Sequence, residues 1–151
     1  MQWQRDEFVV TDNRQALDIE VIHGFLRESY WARDIPRDIV VKSLANSLCF
    51  GLFSRGSQVG FARAITDYAI FAYLADVFVL PGYRRRGLAS WLVACVVDHP
   101  ELQGLRRILL ATADAHGLCR RCGFSPLRAP GNFMEIGRAD PYREDADRPR
   151  S

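Results

Sequence analysis

The chain has 151 residues, of which 48% are hydrophobic and 25% charged, and its formal net charge is +2. This length and composition are typical of one soluble globular domain whose hydrophobic core is large enough to need no stabilising disulfide or metal ion. The small net charge, with an isoelectric point near 8.4, lacks the strong basic bias of a dedicated nucleic-acid-binding domain, so we expect no nucleic-acid partner.

The first half of the chain predicts a short strand, two helices and a hairpin. A helical stripe of apolar residues begins after Asp18, and Pro36 suits the first turn of a second helix because its fixed φ fits that position. Residues 29–34, between the two helices, have the composition of a loop. The predicted elements, in chain order, are a strand at Phe8–Val10, helices from Asp18 and from Pro36 to about Asn46, and strands at Leu48–Phe53 and Gln58–Ile65.

The second half predicts a long strand, a helix and several shorter elements. The apolar strand spans Ala69–Leu80, and the helix runs from Gly87 to about His99, where Pro100 ends it. A near-continuous apolar strand at Ile108–Ala111 has the composition of a strand covered on both faces. The remaining predicted elements are a short helix at Ala115–Cys122 and final strands at Phe124–Leu127 and Phe133–Ile136.

Antiparallel hairpins and helix crossovers coexist in this order of elements. They predict an α/β (α+β) fold with a mixed, mostly antiparallel sheet of six to seven strands, and about four helices that cover both faces. No internal repeat or low-complexity linker divides the chain. We therefore expect one domain over residues 1–137 and a charged, proline-containing tail over residues 138–151.

The run Tyr83-Arg84-Arg85-Arg86-Gly87-Leu88-Ala89 joins the long strand to a helix and has the composition of an anion site. The first N–H groups of a helix have no intrahelical partner, and the helix dipole adds partial positive charge there. Gly87 allows close approach of the backbone to a ligand, Ala89 is small, and the three guanidinium groups add charge. A phosphate-bearing ligand is the first hypothesis, and a solvated cluster of surface arginines is the alternative.

A second motif lies at a fitting distance from the first. Arg84-x-x-Gly87-x-Ala89 follows the strand residues Asp76-Val77-Phe78-Val79, and Ala115-x-x-Leu118-Cys119-x-x-x-Gly123-Phe124 follows the next predicted strand. These motifs, and the order of elements over nearly the whole chain, resemble the GNAT N-acetyltransferase superfamily. The resemblance implies that fold, acetyl-CoA as co-substrate, and direct transfer of acetyl to an amine in a ternary complex.

The resemblance also implies which residues bind acetyl-CoA. Phe78 and Val79 would contribute backbone groups to the pantetheine arm, as an added strand would. The thioester would lie between the strand at Asp76–Leu80 and the strand at Ile108–Ala111, which splay apart in this family. The pyrophosphate would be held by the turn and the start of the helix, which comprise Arg84, Arg85, Arg86, Gly87, Leu88, Ala89 and Ser90.

Cys119 stands where the family has a tyrosine, which is often taken as the general acid that protonates the leaving thiolate. A thiol with a reference pKa of about 8.5 can donate a proton; the alternative is that Cys119 packs as a small apolar residue. The Cys119-x-x-Cys122 pair, with His116 before it, also has the spacing of a redox pair or part of a metal site. A redox pair is disfavoured because the helix dipole near a helix C-terminus opposes a thiolate. A zinc site is disfavoured because the sequence has no second pair of cysteines with this spacing, so we expect no metal.

Transfer to an amine requires a base, and Asp76 is the first candidate because an acidic residue on this strand frequently faces the substrate in the family. The alternative is a strand-edge carboxylate paired with an arginine. His116 and Asp114, after the next predicted strand, and Glu135, on the last one, are further candidates.

The acceptor should be recognised by the N-terminal helices and their loop, as in the family. Tyr30 and Trp31 in that loop offer stacking surface and hydrogen-bond donors, and we add His116 as an acceptor contact at the mouth of the site. These residues predict a small-molecule amine as partner, and the absence of an acidic cluster near the aromatics disfavours a polycation. Exposed apolar strands near the C-terminus would permit a homodimer, which is a habit of the family.

Two functions from other classes stay open at this point. One is a non-catalytic module that binds or senses acyl-CoA, and the other is a thiol–disulfide protein that uses Cys119 and Cys122 and does not bind CoA. The enzyme alone would release free thiol from acetyl-CoA when it is offered amines.

Location follows from what the sequence lacks. No apolar run approaches the roughly 20 residues of a membrane span, and the N-terminal residues lack the apolar core of a signal peptide. We expect a cytoplasmic protein without a membrane partner, whose four cysteines are reduced.

Overall fold

A six-stranded sheet organises the chain, and the computed structural model describes residues 1–142. Each strand lies beside its neighbours in sequence, the first five are antiparallel, and the sixth is parallel to the fifth. The predicted mixed, mostly antiparallel sheet is confirmed. The strands are β1 (Gln2–Arg5), β2 (Phe8–Thr11), β3 (Leu48–Ser54), β4 (Ser57–Thr66), β5 (Phe71–Val79) and β6 (Arg107–Leu109).

Four α-helices accompany the sheet within residues 1–142, as predicted. The carboxylate of Asp18 accepts hydrogen bonds from the N–H groups of Glu20 and Val21 and so caps the first helix. Pro36 is the N-cap of the second helix, one position before the predicted place. The helices are α1 (Ile19–Leu26), α2 (Arg37–Ala45), α3 (Leu88–Val97) and α4 (His116–Arg121).

Two hydrophobic clusters hold the helices on opposite faces of the sheet. Adjacent residues of a strand point to opposite faces, and Phe61 and Ala62 on β4 are both fully buried. Phe61 packs in the cluster that contains Ile22 of α1 and Val40 of α2. Ala62 packs in the cluster that contains Leu92 of α3. Full burial of a side chain such as Phe61 stabilises the fold by about 1.5–3 kcal/mol.

The prediction of two strands after α4 is wrong. No strand follows β6 within residues 1–142. Pro126 and Pro130 lack the N–H group that a ladder requires. Met134 and Ile136 are 97% and 96% exposed, so their apolar character is not matched by packing against the rest of the chain. The sheet reaches six strands because β1, which was not predicted, pairs with β2.

β6 is also shorter than predicted, and it lies at the end of the sheet with β5 as its sole strand partner among the described residues. Its two apolar residues are half-buried, so the expectation of a strand covered on both faces is wrong. The division at residue 137 stays a prediction, and residues 143–151 of the predicted tail lie outside the described residues. No helix among residues 1–142 is long and apolar enough to cross a membrane.

Gly60 provides a test of the β4–β5 contact. A Cβ atom at Gly60 would lie 2.8 Å from the carbonyl oxygen of Phe78, which is ladder backbone and cannot move aside. We expect Gly60→Ala to lower the free energy of unfolding by about 1–3 kcal/mol through overpacking, measured by urea denaturation. Gly24→Ala is the control, because its Cβ meets no atom within 4 Å in α1 and should stabilise the helix by about 0.5–1 kcal/mol. If Gly60→Ala unfolds at the same urea concentration as the wild type, the close contact between Gly60 and the Phe78 carbonyl would be contradicted.

Candidate active site

A cleft opens where β5 and β6 separate. The two strands pair only between Phe71–Tyr73 and Arg107–Leu109; β6 ends there, whereas β5 continues to Val79. The resulting cleft has a volume of about 1180 Å³ and is lined by residues from β5, the turn before α3, the α1–α2 loop and the α4 region. It therefore brings the predicted anion turn and the predicted acceptor loop into one cavity.

The turn before α3 presents the open N-terminus of that helix to the cleft. Gly87, directly before Leu88, adopts the left-handed region with φ 71°, and no side chain caps the helix. The first N–H groups of α3 are therefore available to a ligand, and the positive end of the helix dipole lies behind them. The cleft-lining residues of this segment are Arg84, Arg85, Gly87, Leu88, Ala89 and Ser90.

The three arginines of the turn differ in their positions. Arg84 and Arg85 line the cleft, and Arg84 Nε donates a hydrogen bond to the carbonyl of Val79 at 3.0 Å. Arg86 does not line the cleft. Its Nη1 lies 3.9 Å from Glu7 Oε1, on the side of the β1–β2 hairpin. The structure therefore brings together two of the three predicted guanidinium groups.

The register of β5 decides which backbone groups face the cleft. The N–H of Leu80 donates to the carbonyl of Val59 on β4 at 2.8 Å. Because an antiparallel ladder alternates, the backbone groups of Val79 are then directed to the opposite edge, which is the cleft edge, and those of Phe78 toward β4. Phe78 instead contributes its ring, which stacks on Phe25 with centroids 4.0 Å apart.

A β-bulge interrupts β5 beside the cleft. The register shifts between Phe61 and Arg63 on β4, so that Asp76 and Val77 together lie opposite Ala62. Asp76 has φ 55°, which is uncommon for a residue other than glycine. A bulge leaves its extra residue without a ladder partner. This one frees backbone groups of β5 where the cleft is lined by Asp76 and Val77.

Asp76 belongs to a network of hydrogen bonds. Arg63 Nε donates to Asp76 Oδ2 at 2.5 Å, and these two side chains are 15% and 10% exposed. Trp31 Nε1 donates to Asp76 Oδ1 at 2.9 Å, and Arg63 Nη1 donates to Ser47 Oγ at 3.0 Å. Asp76 is therefore paired with an arginine, as the alternative from the sequence described, while its carboxylate still lines the cleft.

The α1–α2 loop connects the two sides of the cleft. Trp31 is bonded to Asp76 on β5, and the hydroxyl of Tyr30 accepts a hydrogen bond at 3.2 Å from the N–H of Ala113, beyond the end of β6. The two aromatic rings meet edge to face with centroids 5.0 Å apart. Both line the cleft, and they are 62% and 41% exposed. The predicted acceptor residues thus hold both sides of the opening.

Cys119 lies on α4, buried, and lines the cleft. Burial raises the pKa of its thiol, and the neighbouring Cys122 adds to that effect. Burial also raises the pKa of Cys122, whose Sγ lies 3.5 Å from the carbonyl oxygen of Ser90. A raised pKa keeps both thiols protonated at neutral pH, whereas a redox pair requires a lowered pKa, so the structure gives no support to a thiol–disulfide function.

His116 lies in a different cavity from the other predicted acceptor residues. It is exposed and lines a groove of about 1020 Å³ along the open edge of β6. That groove shares Cys119 and residues 110–112 with the cleft, but the cleft lining does not include His116. Within residues 1–142, no group of three or more His, Cys, Asp or Glu side chains could hold a metal ion.

Several residues of the cleft were not identified from the sequence, and two of them make long-range contacts. Arg63 is one, and its signal was a charge within the buried strand β4, since a charge in such a place requires a partner. Tyr142 is the other; it lines the cleft and packs against the cluster beneath α1 and α2. Tyr142 lies in the predicted tail, where nothing in the local sequence indicated packing.

Comparison with known proteins decides the family. The profile described as "Acetyltransferase (GNAT) family" matches residues 2–124 of this chain. The chain belongs to the GNAT acetyltransferase family. It is therefore an acyltransferase by family, and the cleft between β5 and β6 is the candidate active site of a GNAT enzyme.

Individual relatives agree with this assignment. A crystal structure of a protein from Xanthomonas campestris, assigned as a GNAT acetyltransferase, is 49% identical; the match covers 91% of this chain and 97% of that chain with a TM-score of 0.88. A Gibberella zeae protein assigned as an acetyltransferase is 32% identical over 74% of this chain and 75% of its own length. A Clostridium acetobutylicum structure solved with acetyl-CoA matches 86% of this chain and 94% of that chain, with a TM-score of 0.62. Its identity is 12%, so that likeness shows the fold alone.

The Arg63–Asp76 pair can be tested by a double-mutant cycle. Arg63→Met leaves a carboxylate that is 10% exposed without its cation, and we expect a loss of about 2–4 kcal/mol in the free energy of unfolding. Adding Asp76→Asn to Arg63→Met should recover part of that loss, because the unpaired charge is removed. Urea denaturation provides the measurement.

The matched control for this cycle is the exposed pair of Arg37 with Glu20, whose side chains are 55% and 72% exposed. Arg37→Met should change the free energy of unfolding by less than about 1 kcal/mol. Strictly additive effects of Arg63→Met and Asp76→Asn would contradict a coupled pair.

Proposed function

We propose that the protein transfers the acetyl group of acetyl-CoA to the amine of a small molecule, directly, with both substrates bound in the cleft. The observation that carries this proposal is the position of the uncapped N-terminus of α3 and the exposed edge of β5 in one cavity with the aromatic α1–α2 loop. The first two features suit an acyl-CoA, and the third suits an acceptor. The length of the acyl chain is inferred from the family.

The residues present fit acetyl-CoA. Gly87 lines the cleft, and a Cβ atom there would point toward Arg5 Nη2 at 3.7 Å, so the positive φ rather than crowding accounts for the glycine. We propose that the N–H groups of Gly87 to Ser90 bind the pyrophosphate, with charge from Arg84 and Arg85. The cleft-facing backbone of Val79 would hold the pantetheine arm as a strand edge does, whereas the backbone groups of Phe78 are directed toward β4.

When bound, acetyl-CoA supplies an acyl thioester whose carbonyl carbon accepts the amine nitrogen and whose C–S bond then breaks. The protein contributes mainly position, because holding amine and thioester together removes much of the entropic barrier. The bulge at Asp76 and Val77 frees backbone groups beside the cleft. We propose that an N–H group of this bulge polarises the thioester carbonyl.

Asp76 is the proposed acceptor of the proton that the amine loses. Its two oxygens each accept one hydrogen bond, from Trp31 and Arg63, and each carboxylate oxygen has a further lone pair. Those lone pairs suit an ammonium group, either directly or through a water molecule. The ion pair fixes the direction of the carboxylate, so that the amine is oriented before it is deprotonated.

Cys119 is the proposed donor of the proton that the departing thiolate takes up. Burial raises its pKa, so the thiol carries its proton at neutral pH. The proton would pass from Cys119 Sγ to the sulfur of CoA, and the proton that the amine loses, or one from solvent, would then restore the thiol.

The acceptor side of the cleft favours a small amine with an apolar body. Its walls include Phe25, Trp31 and Ile35, which lie beside the Arg63–Asp76 pair. Among the described residues, the carboxylates that line the cleft are Asp76, which is already paired, and Asp114, so a polycation would find no acidic cluster. Acceptor contact by His116, a cytoplasmic location and a homodimer remain predictions.

An amine panel tests the function. Acetyl-CoA would be offered with arylalkylamines, amino acids, polyamines and aminoglycosides, and free thiol would be measured over a blank without amine. We expect release of thiol with at least one small apolar amine and none with Gly87→Val, because a β-branched side chain cannot easily adopt φ 71° there. If no amine of the panel causes release of free thiol and the protein still binds CoA tightly, the result would favour the non-catalytic module instead.

Cys119→Ser tests the acid role, since a hydroxyl is a far weaker acid than a thiol. We expect kcat to fall by about 10²-fold while KM for acetyl-CoA changes little, because a general acid contributes about 10²–10⁴-fold. Cys122→Ser is the control, since Cys122 does not line the cleft. If Cys119→Ser leaves turnover and its pH profile unchanged, Cys119 has a packing role.

A further inference from the structure

We propose that Arg5, on the N-terminal hairpin, is a positioning residue for the pyrophosphate-binding turn. The proposal rests on the function proposed above, and it adds a residue that is remote in sequence from both motifs. Arg5 does not line the cleft. It acts on the turn from behind, through one hydrogen bond and one ring contact.

The guanidinium group of Arg5 touches the turn and the helix together. Arg5 Nη2 donates a hydrogen bond to the carbonyl oxygen of Arg86 at 3.0 Å. Its Cζ lies 5.1 Å from the centre of the Trp91 ring, in the geometry of a cation–π contact. Arg86 directly precedes the N-cap Gly87, and Trp91 lies one turn into α3. One side chain therefore fixes the backbone of the turn relative to the first turn of the helix.

The direction of the Gly87 N–H follows from that hydrogen bond. The carbonyl of Arg86 and the N–H of Gly87 belong to one planar trans peptide group, in which they point in opposite directions. Arg5 holds the carbonyl on its own side, so the N–H of Gly87 points away from Arg5. Since Gly87 lines the cleft and Arg5 does not, that direction leads toward the cleft.

The turn needs such an anchor because its backbone is otherwise easily rotated. The peptide between Arg86 and Gly87 is oriented by ψ of Arg86 and φ of Gly87, and Gly87 has a positive φ of 71°, as does the nearby Arg85 with 66°. Glycine adopts both signs of φ at similar cost, so the peptide before Gly87 can turn over when nothing holds it. A turned peptide would present the carbonyl of Arg86 to the phosphates, and this would repel them.

The hairpin also holds the side chain of Arg86. Glu7 Oε1 lies 3.9 Å from Arg86 Nη1; Arg5 ends β1, and Glu7 lies in the turn that joins β1 to β2. Arg86 is thereby kept off the cleft, and its backbone carbonyl remains accessible to Arg5. The N-terminal hairpin thus supports the anion turn through both neighbouring residues.

The experiment compares CoA with pantetheine, which lacks the pyrophosphate together with the 3′-phosphoadenosine that it carries. Isothermal titration would give the Kd of CoA and of pantetheine, which has the same thiol arm without phosphates. Arg5→Met keeps an apolar stem on Trp91 but removes the donor and the charge. We expect it to weaken binding of CoA about tenfold, as befits a charge-assisted hydrogen bond, and to leave binding of pantetheine unchanged. Arg5→Lys, which keeps the charge and one donor, should restore part of the affinity.

Arg55→Met is the matched control. Arg55 pairs with Glu7 from an exposed position and touches neither Arg86 nor Trp91 among its recorded contacts. It should bind CoA as the wild type does. If Arg5→Met weakens the binding of CoA and of pantetheine equally, Arg5 has a general structural role. If the affinity for CoA is unchanged, Arg5 has no role in binding. Either result overturns the proposal while the proposed function stands. Failure of the wild type to bind CoA would overturn the function as well.

Discussion

The shortness of the β5–β6 pairing is the constraint on which the site depends. The parallel ladder covers Phe71–Tyr73 and Arg107–Leu109, and beyond it, within residues 1–142, β5 has a strand neighbour on the β4 side alone. Residues after Tyr73 are therefore held in extended form by β4 while their other edge is open. A continuous ladder would occupy the same backbone groups that an acyl-CoA requires. The loss of a few inter-strand hydrogen bonds thus creates both a cavity and a strand edge to bind in.

The open edge requires support from elsewhere, and the Arg63–Asp76 pair provides it. A charge pair of this burial is costly to desolvate, and it is tolerated because its remaining polar atoms are hydrogen-bonded. Ser47 and Trp31 supply those bonds from the end of α2 and from the α1–α2 loop. Tyr30 then extends the connection to Ala113 on the far side of the cleft. The bulge, the loop and the two separated strands are therefore one mechanically connected unit.

Local sequence predicted the elements whose signals are local. The turn at Gly87 combines glycine, small residues and the start of an amphipathic helix, so its place between β5 and α3 was predictable to within a residue. β1 was missed because Gln2–Arg5 is an edge strand with one aromatic residue and no buried residue, so hydrophobic patterning carries no signal there. The strands expected after α4 failed for the opposite reason: apolar residues were present, but no strand in the described part of the chain pairs with them.

The site was predictable where it depends on backbone and was not where it depends on distant side chains. Arg84, Arg85 and the helix N-terminus followed from the composition of the turn, and the position of Cys119 followed from the resemblance of its motif to the family. The outward direction of Arg86 depends on Glu7, far away in sequence. The same applies to the partners of Asp76 and to Tyr142, because long-range pairings are fixed by the completed fold. His116 was placed by proximity to the second motif, and the helix turned it into the neighbouring groove.

The two halves of the cleft differ in how they respond to substitution over evolutionary time. In the proposed function, the donor half relies on main-chain groups of β5 and α3, which are present whatever side chains those positions carry, except at Gly87. The proposed acceptor half relies on side chains of the α1–α2 loop, such as Tyr30 and Trp31, which mutation replaces one at a time. A lineage can therefore exchange its acceptor while it retains its acyl donor. The conformation of Gly87 would therefore tolerate less substitution during evolution than the aromatic residues on the opposite side of the cleft.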